Sequence, residues 1–145
     1  MAQMTDEEVY DFLGAGTRTG HLATTRADGR AHVKPVWFVL DGTPEEFVLL
    51  LNTGEGSVAG RNLARDARVS VCVDEPVPPF AFVIIEGTAE LITDLEQVRE
   101  AATELGGRYM GPARAEEYGK RNGVPGELLV RITPSKVLGV RDVAD

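Results

Sequence analysis

An apolar strand, Phe47–Asn52, runs into the glycine-rich turn Thr53-Gly54-Glu55-Gly56 and then into Ser57-Val58-Ala59-Gly60-Arg61-Asn62-Leu63-Ala64-Arg65. These residue types suit an anion. Ser57 can cap the following helix, and the unpaired amides of a first helical turn favour phosphate. Ser57, Arg61 and Arg65 recur at i, i+4 spacing and share a helix face, whereas Val58, Ala59 and Leu63 can turn toward a core. The same spacing also describes a solvated helix whose arginines complement its C-terminal dipole. Spacing alone leaves both readings open.

Protein-borne catalysis has no visible motif. There is no G-x-S-x-G elbow, H-E-x-x-H pair or Walker loop, and His21 and His32 are the only histidines. No nucleophile–base pair and no metal site can be read, so a bound cofactor is expected to carry the chemistry, with no catalytic side chain assigned. The glycines of Gly14–Gly20 precede a strand instead of a helix, which sets aside a dinucleotide fingerprint. The single cysteine, Cys72, excludes an internal disulfide and reads as a buried thiol in the run Val69–Val73.

A chain of 145 residues with 43% hydrophobic and 26% charged residues suits one folded domain, 1–145. Its net charge of −8 argues against general binding to nucleic acid or anionic membranes, so basic groups must act locally. The longest apolar runs are too short to span a bilayer, and no leader precedes Thr5. A cytoplasmic protein is expected.

The elements that would position the turn are legible in outline. Thr5-Asp6-Glu7-Glu8 is a capping box that predicts a helix ending near Gly14 or Gly16. Thr19–Thr25 reads as a strand that turns at Ala27–Arg30 into a second, Ala31–Leu40. There Val33, Pro35, Trp37 and Val39 alternate with His32, Lys34, Val36, Phe38 and Leu40, which puts Lys34 and Trp37 on opposite faces unless Pro35 bulges the strand. Pro35 marks a bulge or an edge. After the acidic loop Asp41–Glu46 come the strand and helix above, then strands Arg68–Val73 and Phe80–Ile92, joined by the loop Glu75–Pro79. A bulge is expected at Glu86-Gly87. A second capping box, Thr93–Glu96, opens a helix stopped by Gly106-Gly107. A helix over Pro112–Arg121 and a strand Glu127–Val140, interrupted at Pro134, complete the chain. About six strands on short connections predict a small antiparallel barrel.

Several of these segments resemble a known family. Gly20-His21-Leu22-Ala23-Thr24-Thr25, His32-Val33-Lys34-Pro35-Val36-Trp37-Phe38 and Thr53…Ser57…Arg61-Asn62-Leu63 resemble the split-barrel pyridoxamine 5′-phosphate oxidase-like superfamily. Pro78-Pro79-Phe80-Ala81-Phe82-Val83, Glu86-Gly87-Thr88-Ala89 and Gly126-Glu127-Leu128-Leu129-Val130-Arg131-Ile132 are similar to the B group of deazaflavin-dependent reductases, which use coenzyme F-420. The resemblance implies a six-stranded antiparallel split β-barrel of the FMN-binding type, and a homodimer with cofactor sites between its subunits. It places the isoalloxazine-like ring on Pro35, Val36, Trp37, Asn52 and Thr53, with Lys34 beside it, and the phosphate on Ser57, Arg61 and Asn62. Phe80 falls at the dimer interface, where it would wall the partner's ring site; Trp37 and Phe80 equally fit simple core or interface roles. One departure stands out: Ala59 occupies the lysine position of the family pattern Ser-x-Lys-x-Arg-Asn-Leu.

The implied activity is hydride transfer from reduced coenzyme F-420 to a small unsaturated organic acceptor. Two alternatives stay open. One is an FMN-dependent oxidase or flavin reductase of the same fold, disfavoured because the Arg-x-x-x-Leu-Lys strand motif is absent. The other is a non-catalytic carrier of a deazaflavin, haem or another tetrapyrrole, favoured by Ala59.

Overall fold

The computed structural model describes residues 1–145. In chain order the elements are β1 (Ala2–Gln3), α1 (Asp6–Gly14), β2 (Gly20–Thr25), β3 (Ala31–Val36), β4 (Val39–Thr43), β5 (Glu46–Gly54), α2 (Val58–Arg65), β6 (Arg68–Glu75), β7 (Ala81–Ile92), α3 (Leu95–Met110), α4 (Ala115–Asn122) and β8 (Glu127–Arg141). A 3-10 turn, Pro112–Arg114, joins α3 to α4. The strands form one eight-stranded sheet in the order β3-β2-β6-β7-β8-β5-β4, with β1 added against the end of β8. All pairings are antiparallel, and β3 and β4 occupy opposite ends of the path. The sheet is therefore a barrel left open between its two edges. No helix is long and apolar enough to cross a membrane.

The expected six strands become eight for two reasons. The predicted strand Ala31–Leu40 is two strands: the chain leaves the sheet after Val36, crosses at Trp37-Phe38, and re-enters at Val39 on the opposite edge. In addition, Ala2–Gln3 pairs with Val140 and Arg141. Pro35 lies on the edge strand β3, where its missing N–H costs no ladder bond. The acidic stretch is mostly strand too, since β4 continues to Thr43 and turns directly into β5 at Glu46.

Alternate residues of the strands point into the barrel, where Leu22, Leu49, Leu51, Val71, Ile85 and Ile132 are fully buried. Each contributes about 1.5–3 kcal/mol by leaving water. Helix α1 adds Val9 and Leu13 to this core, and its capping box forms as expected, Glu8 N–H to Thr5 Oγ1 at 3.2 Å and Thr5 N–H to Glu8 Oε1 at 3.1 Å. The bulge also forms, as a register shift at Glu86/Gly87 opposite Pro134, so β8 runs through the proline unbroken.

The helical layer corrects two expectations. Asp94, not Thr93, caps α3, accepting from Gln97 N–H at 3.1 Å. Gly106-Gly107 does not stop α3, which continues to Met110. A Cβ on Gly106 would strike Tyr118, so this glycine lets α3 and α4 approach closely. Residues Val98 and Ala101 of α3 pack on Leu129 of β8 and Leu50 of β5, covering the outer face of those two strands.

Candidate functional site

Beyond this small second core the helices and the sheet diverge, and a cavity of about 380 Å³ opens between them at the split in the barrel. Lys34, Pro35, Val36, Trp37 and Asn52 all line it. Five of the residues expected around the ring thus meet in one place, and Thr53, buried in the barrel, does not join them. Lys34 and Trp37 share it because β3 ends at Val36, so the alternation that set them on opposite faces stops before Trp37. Period-two alternation on β5 sends Leu49, Leu51 and Thr53 inward and turns Asn52 outward toward the cavity.

The crossing residues depend on α3. Phe38 N–H donates to Tyr109 Oη at 3.2 Å, and the Phe38 carbonyl accepts from Arg108 Nη1 at 2.6 Å. These bonds replace the ladder partners that the crossing forfeits. Arg108 also donates to the Leu13 and Gly16 carbonyls, at 2.8 and 3.0 Å, and so completes the C-terminal end of α1, which has no basic residue in its own last turn. Tyr109 Oη donates in turn to the Arg18 carbonyl at 2.8 Å. The Tyr109 ring stacks on Trp37 with centroids 5.1 Å apart and planes 5° from parallel, while Tyr118 lies tilted against Trp37 at 5.8 Å. Trp37 is 36% exposed, with one ring face fixed by protein and the rest available to the cavity.

The Ser57 turn borders the same region. Ser57 Oγ donates to the Gly54 carbonyl at 2.7 Å and accepts from Gly60 N–H at 3.0 Å, capping α2. With the Ser57 hydrogen used in this way, Thr53 Oγ1 donates to Ser57 Oγ at 3.0 Å. A Cβ on Gly60 would collide with the Gly54 carbonyl, so the tight turn requires glycine there. Asn62 is buried and donates to Thr24 Oγ1 at 3.0 Å, tying α2 to β2. Arg65 donates to Asn62 Oδ1 and the Thr25 carbonyl, whereas Arg61 is exposed and bonds only the Gly56 carbonyl, at 2.6 Å. Ala59 is 1% exposed and packs inward. Phe80 stands apart from the cavity, 40% exposed in the β6–β7 connection.

Four lining residues had not been assigned to the site from sequence: Thr19, Leu105, Asn122 and Glu127. Glu127 pairs in register with Gly54 and bridges cavity and turn, since a Cβ on Gly54 would lie 3.9 Å from Glu127 Oε2 and 4.0 Å from Ser57 N. Its Oε2 is buried without a hydrogen-bond partner. Burial pushes the carboxyl above the ordinary glutamate range, only partly offset by the Lys34 ammonium. A signal existed for this residue: if Leu128, Val130 and Ile132 face the core, Glu127 must face the other side of β8.

An unclosed antiparallel barrel with a polar, aromatic-walled cavity at its split defines a split-barrel protein. The chain matches the pyridoxamine 5′-phosphate oxidase family over residues 5–141 and belongs to it. Among solved structures it is similar to a conserved hypothetical protein from Mycobacterium tuberculosis, at 26% identity and TM-score 0.82, covering 98% of this chain and 89% of that one. An F-420 reductase aligns at 25% identity and TM-score 0.68, covering 88% and 94%. A FAD-binding protein from Mesorhizobium loti, 21% identical over 95% and 93% with TM-score 0.67, shares the fold.

Proposed function

We propose that this protein is an oxidoreductase that binds coenzyme F-420 and reduces a small unsaturated organic acceptor. The observation that carries the reading is the convergence of Lys34–Trp37 and Asn52 on one cavity beside the capped Ser57 turn. Similarity to an F-420 reductase supports the choice of coenzyme. The residues fit a planar ring with an anionic tail: Trp37 offers a rigid aromatic wall, Asn52 and Asn122 offer amide donors and acceptors, and Arg61 is free to swing toward a phosphate at α2. When bound, a reduced deazaflavin supplies a hydride. The chain's own contribution is to hold donor and acceptor in contact and to keep water from between them.

A second copy of the chain would complete the enclosure. The register sets Pro35, His21, Cys72, Ile84 and Leu138 in a row across the outer face of the sheet. Ile84 and Leu138 are exposed there, as are the nearby Val33 and Phe80. Such an apolar face favours a homodimer. Pro35 belongs both to this row and to the cavity lining, so the partner would wall the ring site.

The test is titration of the purified protein with coenzyme F-420 and, separately, with FMN, followed by oxidation of the reduced coenzyme over an acceptor panel. Tighter F-420 binding with acceptor-dependent oxidation is the expected result. Tighter FMN binding would redirect the reading to an oxidase or flavin reductase, and binding without turnover would make the protein a carrier. Light scattering is expected to give a dimer at micromolar concentration; a monomer would remove the shared site.

A further inference from the structure

We propose that Glu127 is the acid that completes the reduction, giving its carboxyl proton to the acceptor in the cavity at the split. The proposal deepens the reductase reading and rests on it. Three observations place the acid. Glu127 lines the cavity together with Trp37 and Asn52, its Oε2 has no partner within the protein, and Lys34 lies close enough to act on its charge. A buried oxygen without a partner is costly to maintain when charged, which favours the protonated carboxyl, and Oε1, which is not buried, is the oxygen left to a ligand in the cavity.

Other acids are worse placed. Tyr109 Oη is occupied by the Arg18 carbonyl and Phe38 N–H. The exposed His21 and half-buried Cys72 sit on the outer face of the sheet, and burial pushes the thiol of Cys72 up. His32 has a buried Nδ1 without a partner but does not line the cavity. Among the lining residues only Lys34 also carries an acidic proton, and an ammonium is a far weaker acid than a carboxyl.

The step balances as follows. A reduced deazaflavin held against Pro35, Trp37 and Asn52 would supply the hydride, and with it the electron pair, that adds to one carbon of the acceptor double bond. The O–H bond of Glu127 breaks and its proton goes to the neighbouring acceptor atom, so the acceptor gains two electrons and two hydrogens. Glu127 is left as a carboxylate facing the Lys34 ammonium and regains a proton from water at the cavity mouth. Lys34, from β3, is the charged group facing it; the lining residues from β5, α3 and α4, which are Asn52, Leu105 and Asn122, are uncharged. An acid held above the ordinary glutamate range keeps its proton nearer neutral pH, where a solvated glutamate has lost it.

The experiment compares wild type with Glu127→Gln and Glu127→Asp. In ligand-free protein, infrared difference titration is expected to show a protonated carboxyl persisting above the usual glutamate range and absent from Glu127→Gln. Glu127→Gln is expected to bind coenzyme F-420 within threefold of wild type while losing at least a hundredfold in kcat. Wild-type kcat should fall as pH rises through this titration, and Glu127→Asp should recover part of kcat with its pH dependence. Absence of the protonated carboxyl overturns the proposal without reference to turnover. A Glu127→Gln variant with wild-type kcat and pH profile overturns the acid and leaves the reductase reading standing. A wild type that binds the coenzyme and reduces nothing overturns both.

Discussion

The Ser57 turn and the Trp37-Phe38 crossing border one site but are held in opposite ways. The turn is closed by its sequence neighbours, through Thr53, Gly54, Ser57 and Gly60. The crossing is closed by Arg108 and Tyr109, which are 70 and 71 residues away from Phe38. A locally closed turn can lose a ligand contact and leave the rest of the fold undisturbed. At the crossing, binding geometry and stability rest on the same bonds, so damage to either should appear in both.

Substitutions can break or sharpen this contrast. Arg108→Ala should have the largest effect: it strands the Leu13, Gly16 and Phe38 carbonyls and should cost about 3 kcal/mol in denaturant unfolding, with coenzyme affinity falling in parallel. A loss no greater than that of the surface variant Arg114→Ala would mean α3 does not hold the crossing. Tyr109→Phe keeps the stack on Trp37 and removes only the hydroxyl bridge, so about 1–2 kcal/mol is expected by the same measurement. Ser57→Ala deletes a helix cap and should cost about 1 kcal/mol of stability. Its affinity loss should appear for the phosphorylated coenzyme and vanish for the dephosphorylated riboflavin-level analogue. The mildest change is Arg61→Ala, which should leave the melting temperature unmoved, since the side chain is exposed and bonds only its own turn. Calorimetric titration should nonetheless show coenzyme binding weakened by roughly three- to tenfold, more at low salt, and unchanged in Arg114→Ala. Equal affinities for those two variants would make the α2 arginines solvated charge.

The same contrast explains what could be read from the chain. The capping box at Thr5, the bulge at Glu86-Gly87, the cap at Ser57 and most strands rest on spacing within a few residues, and all stand in the structure. Periodicity failed at Ala31–Leu40, because nothing local marks Trp37-Phe38 as a departure from the sheet; the partners that make the departure possible lie in α3. Gly106-Gly107 misled for a related reason, since a glycine that permits helix contact looks in sequence like one that stops a helix. At the cavity, Lys34, Pro35, Val36, Trp37 and Asn52 were legible, whereas Thr53, Ser57, Ala59, Arg61 and Asn62 of the glycine turn are not among its lining residues. Glu127, Asn122, Leu105 and Thr19 were not legible, because their convergence follows from how α3 and α4 sit over β5 and β8.

The path of the chain from β3 to β4 also sets the order in which the molecule can assemble. The β2–β3 and β4–β5 hairpins are each local in sequence, and the two residues between them carry the chain from one end of the strand order to the other. The bonds that hold Phe38 reach Arg108 and Tyr109, 70 and 71 residues away, and contacts of such separation are expected to form late in folding. Weakening the Phe38 bonds should accordingly speed unfolding and leave the folding rate nearly unchanged, which makes the crossing the point where the lifetime of the native state is decided.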